Sequence, residues 1–163
     1  MEEHGAPGRT ESELERLDRN LNELLQEVRV SQAGVQILFA FLLTLPFTQR
    51  FSQVSTFERD IYFVTLLLAG LATALFIGPV SYHRVLFRRR EKSLVVFVAN
   101  WMALGGLVCL SGAIVGAILL VTDFLFGGAT AAIVAGSMAA VIVLLWYTLP
   151  LARLLRIRRR ARA

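Results

Sequence analysis

The chain has 163 residues, 56% of them hydrophobic against roughly 45–50% in soluble proteins, an excess that excludes an ordinary soluble domain. Its net charge of +5 comes from 17 basic and 12 acidic residues, but the arginines flank apolar runs instead of alternating with base-stacking aromatics, so nucleic acid is not the implied partner. Cys109 is the single cysteine, which excludes an internal disulfide or a multi-cysteine metal site.

In chain order, residues 1–9 read as a disordered N-terminus. Thr10 and Glu13 have capping-box spacing, in which hydroxyl and carboxylate each satisfy a backbone N–H of the first turn. They open an amphipathic cytoplasmic helix over 10–29, where Leu14, Leu17, Leu21, Leu24 and Val28 recur at alternating steps of three and four, a heptad seam. The same register continues through Ser31, Val35, Leu38, Leu42 and Leu45 to Pro46. Two forms are therefore open. One is a continuous helix of about 35 residues, roughly 50 Å long, running from cytoplasm into membrane; the other bends near Arg29 and rests its leucines on the membrane surface. The first 30 residues are charged and lack the apolar region of a cleavable signal, so the first span is expected to act as its own insertion signal.

Four apolar runs follow, at 30–47, 61–82, 94–121 and 129–151, each near or above the ~20 residues needed to cross a hydrocarbon core. They define a four-span domain over 30–152 with a basic tail at 153–163, and the expected fold class is all-α, an integral membrane four-helix bundle. Of the 17 basic residues, fifteen lie before the first run, between the second and third, or after the fourth; only Arg50 and Arg59 fall on the other side. The positive-inside rule then places both termini and the central loop in the cytoplasm, with 48–60 and 123–128 outside. Tyr82, Trp101, Trp146 and Tyr147 sit near the cytoplasmic helix ends, as an interfacial aromatic belt requires.

Small residues recur on the spans: Gly70, Ala74 and Gly78 on the second, Gly105, Cys109, Gly112 and Gly116 on the third, Ala132, Gly136 and Ala140 on the fourth. Such stripes let backbones approach closely in lipid, so spans two to four are expected to form the tight part of the bundle. Pro46, Pro79 and Pro150 fall near span ends, where a lost hydrogen bond matters least.

The sequence offers no catalytic residue, cofactor site or metal site. Coupled transport usually requires an ionisable group within the membrane, and Glu58, Asp60, Glu91 and Asp123 all belong to the connections. Ser81 and His83 lack a third group, and His83 reads as an interfacial residue. What remains is a small polar set. Arg29, Gln32 and Gln36 share one helix face. That face is expected to turn inward and meet Asn100 on span three and Ser81, Tyr82 or His83 at the end of span two, an interhelical polar cluster that fastens span one; the rival is a polar cytoplasmic vestibule.

The stretches NELLQEVRVSQAGVQILFAFLLTLPF at 22–47 and YHRVLFRRR at 82–90 resemble an uncharacterised family of small four-span actinobacterial membrane proteins, defined only as a domain of unknown function. The likeness runs from about Arg16 to Arg153 and implies a bacterial inner membrane and no established activity. Two functions stay open. The first is a non-enzymatic scaffold or interaction component in contact with membrane lipid, with a protein partner or with a second copy through its N-terminal helix. The second is a small channel or transporter, antiporter-like, using the vestibule.

Overall fold

The computed structural model describes residues 13–86 and 92–160. The expected disordered N-terminus, Thr10 of the first capping box and the Arg88–Arg90 loop lie outside the described residues, as do the side chains of Leu14, Leu17 and His83. All elements among the described residues are helical. Four of the helical stretches are long and apolar enough to cross a membrane.

Helix α1 spans Glu13–Thr44 without a break, so the continuous form holds and the bend near Arg29 does not occur. The heptad explains it. Leu21, Val28, Val35 and Leu42, each seven residues apart, are 5%, 3%, 0% and 1% exposed, with Leu24, Ser31, Leu38 and Leu45 half-buried between them. One seam thus runs from the polar into the apolar half of the helix, and a bend would lift one half off its support. Val28, Val35 and Leu42 of the seam pack against other helices of the same chain. Leu21 and Val28 are thus buried within the chain.

Pro46 opens a 3-10 turn at Leu45–Phe47, a second follows at Gln49–Gln53, and α2 begins at Thr56 and runs to Leu86. A capping box starts α2. The Ser55 N–H donates to Glu58 Oε2 at 2.7 Å, and the Glu58 N–H donates to Ser55 Oγ at 3.2 Å. Glu58 therefore belongs to a helix start, not to a free loop. Helix α3, Lys92–Phe126, returns beside α2.

The buried residues of α2 are Tyr62, Thr65, Ala69, Ala72, Phe76 and Pro79, again at steps of three and four. Those of α3 include Val95, Ala99, Gly106, Cys109, Ala113 and Leu120, which fit the same repeat. Three heptad seams therefore meet. Together they supply the whole central core.

Close approach between α2 and α3 depends on glycine at a few positions. A Cβ at Gly106 would stand 2.6 Å from the Phe76 ring, one at Gly112 would stand 2.9 Å from Leu68, and one at Gly116 would collide with the Thr65 hydroxyl. Gly78 likewise accommodates Met102. Gly105 and Gly70 have ordinary contacts, with Leu75 and with Phe39 of α1. Ala74, Gly136 and Ala140 are exposed, and nothing approaches Gly136. Packing follows a three-and-four alternation, which the four-residue steps of Gly70, Ala74 and Gly78 and of Ala132, Gly136 and Ala140 leave after one or two turns, whereas Gly112 and Gly116 of the third span face Leu68 and Thr65.

Gly127 alone joins α3 to α4, Gly128–Ile142, with φ 89° and ψ 168°, a conformation essentially restricted to glycine. Asp123 lies within α3, so the expected turn over 123–128 shrinks to one residue. Among the described residues α4 packs chiefly on α3 and contributes no residue to the central cluster. The tight trio is therefore α1, α2 and α3, and α4 stands outside it. Beyond α4 the chain stays helical through a π-helical segment, Val143–Thr148, into α5, Leu149–Arg160, so most of the expected basic tail is helix. The π-segment precedes Pro150, whose ring would clash with the carbonyl four residues back in a regular α-helix; the Leu149 N–H instead reaches the Leu144 carbonyl, five back. Pro79 also lies inside its helix, not at its end.

Candidate functional site

Polar groups inside an apolar bundle carry whatever chemistry it has, so their depth and partners matter most. The Tyr62 hydroxyl donates to the Leu42 carbonyl at 3.1 Å, which fixes α1 against α2 in antiparallel register. Counting 1.5 Å per residue from that tie, Gln36 lies about 9 Å, Gln32 about 15 Å and Arg29 about 20 Å toward the end that carries Arg84. These levels correspond to Leu68, Ala72 and Leu75 of α2, well within its apolar stretch.

The expected polar cluster does not form among the described side chains. Arg29, Gln36 and Asn100 are exposed, while Gln32 and Tyr82 are half-buried. Asn100 lies close to the basic end of α3, several turns from the level of the two glutamines. The packing seam of α1 decides this: burying Val35 and Leu42 slides the glutamines toward mid-span and rotates them to one side.

Other polar groups, which sequence reasoning passed over, do find partners. Thr65, Thr73 and Ser111 donate to the carbonyls of Ile61, Ala69 and Leu107 at 2.7, 2.9 and 2.7 Å. Ser111 Oγ also lies 2.9 Å from the Tyr147 hydroxyl. Since the one Ser111 proton is directed to Leu107, Tyr147 donates and Ser111 accepts. Tyr147 is thus half-buried and tied to α3, in addition to its place near the basic end. A buried Tyr or Ser in a span needs such a partner, which is the signal that could have singled out Tyr62 and Ser111.

Concavities open on the surface, one of about 290 Å³ among Arg153, Arg156, Ile157 and Arg160 of α5 and two that border α3. One of about 450 Å³ lies where the 3-10 turns meet the end of α3, lined by Leu45, Phe51, Val54, Leu120 and Phe124, with Glu58 at its edge. Another of about 390 Å³ lies between α3 and α4, lined by Val115, Leu119, Asp123, Ala131 and Ala135, with Phe57 of α2. Both of those bordering α3 are apolar, and the Glu58 carboxylate already accepts from Ser55. Among the described residues no group of three or more His, Cys, Asp or Glu side chains could hold a metal.

Four helical stretches long and apolar enough to span define a multi-pass membrane protein. The chain belongs to the family of unknown function DUF6328, whose model matches residues 10–150. Comparison with curated proteins and with solved structures finds no match.

Proposed function

We propose that this protein is a non-enzymatic scaffold or interaction component of a bacterial inner membrane, with both termini and the central loop in the cytoplasm. Its contact surfaces are the exposed flanks of α1 and the basic segments. One observation carries the reading: Tyr62, Thr65, Thr73, Ser111 and Tyr147 are bonded to carbonyls or to neighbouring helices, whereas the described charged side chains of α1, Arg16, Arg19, Glu23, Glu27 and Arg29, and the amide of Gln36 are exposed. A conducting protein needs the reverse, a polar interior that water can reach. Orientation rests on the fifteen-to-two division of basic residues.

Liposomes containing the purified protein test this. The expected result is sodium and proton flux equal to that of protein-free vesicles, with crosslinking in native membranes giving adducts through α1. Protein-dependent flux would overturn the proposal.

A further inference from the structure

We infer that α1 forms the interface with a second copy of this chain, through the flank that carries Gln36; this rests on the interaction reading above and names its surface. The exposed side of α1 has two unlike flanks. Val30, Ile37 and Phe41, 77%, 75% and 53% exposed, form an apolar flank that acyl chains satisfy. On the other flank Arg29, Ala33, Gln36, Ala40 and Leu43 are all exposed, at steps of four, three, four and three. That spacing is a second heptad stripe, rotated from the buried seam.

Gln36 and Gln32 lie between the levels of Asp60 and Arg84, about 12 and 18 Å from Asp60 along a stretch of about 36 Å. They therefore fall within the membrane-spanning stretch, which crosses a hydrocarbon core about 30 Å thick. Neither forms a side-chain hydrogen bond within the described residues, and acyl chains can supply none. Arg29 is closer to the basic end, and its long stem can carry the guanidinium toward the headgroups. A short amide has no such escape.

A second copy answers this need for three reasons. The membrane inserts every copy in the same orientation, so a two-fold axis along its normal brings Gln36 to Gln36 at equal depth. A primary amide carries both donors and acceptors, so it complements itself. Ala33 and Ala40 flank Gln36 by one turn each way and allow two backbones to approach closely enough for amides to meet.

Single cysteines test the flank, since native Cys109 is buried. Full-length protein carrying Ala33→Cys or Ala40→Cys, reconstituted in liposomes at low density and oxidised, should give a disulfide-linked dimer; Val30→Cys and Ile37→Cys should not. Adding Gln36→Leu to Ala40→Cys should reduce the dimer at least fivefold, and Gln36→Asn should preserve most of it. Equal crosslinking on both flanks, or insensitivity to Gln36→Leu, would overturn the inference. So would a monomer in pure liposomes that crosslinks in native membranes to a different protein, an outcome that leaves the scaffold reading standing. Flux with an intact dimer would instead remove the scaffold reading and keep the interface.

Discussion

At the scale of single residues, glycines that look alike in sequence have unequal roles. Gly106 faces the Phe76 ring at a distance a Cβ cannot occupy, whereas Gly136 faces open space. Gly106→Val should therefore destabilise the bundle by about 1–3 kcal/mol through overpacking, and Gly136→Val should be close to neutral. Unfolding both variants in mixed micelles with increasing SDS checks the contrast. The tie between Ser111 and Tyr147 yields a second expectation. Ser111→Ala and Tyr147→Phe should each lower stability by about 0.6 kcal/mol, the average for membrane hydrogen bonds. The double variant should lose little more than either alone, because bonded partners do not add. The same unfolding assay measures this cycle, and strict additivity would show that the bond contributes nothing.

The elements show why one seam was visible in the sequence and two were not. In the first half of α1 the leucines stand out against Glu, Asn, Arg and Gln, so a repeat of three and four is evident. In α2 and α3 nearly every position is apolar, and the repeat survives only in residue size, as in Ala69, Ala72, Ala99, Gly106 and Ala113. A four-step search for small residues then selects Ala74 and Ala140, which are exposed. Continuity of α1 follows from its seam and can be measured. Spin labels at successive positions from 20 to 44 should show restricted mobility every seven residues, at 21, 28, 35 and 42, without a phase break near Arg29. A phase break there would restore the bent form.

For the whole molecule, the expected arrangement is set by where the arginines fall. A cysteine replacing Lys92 should react with a membrane-impermeant reagent only after cells are opened, and one replacing Gln53 should react in intact cells. External labelling at Lys92 would invert the proposed orientation. The open packing of α4, chiefly against α3, leaves room for further association, but Gln32 and Gln36 lie on α1, and the dimer test belongs there.

The sequence by itself determined the number of spans, the all-α class and the seam of α1, because each is a local property: a long apolar run, the charges at its ends, a leucine period on a polar background. It also located Gln32 and Gln36 on one helix face. Their level along α2, the absence of a side-chain hydrogen bond to either among the described residues, the exclusion of α4 from the central cluster and the ties made by Tyr62 and Tyr147 were decided only by tertiary structure. The physical reason is that lipid does not distinguish one apolar face of a helix from another. Register and rotation between spans are set by how side chains of different size fit across the helices, and that fit belongs to pairs of elements, not to any one of them.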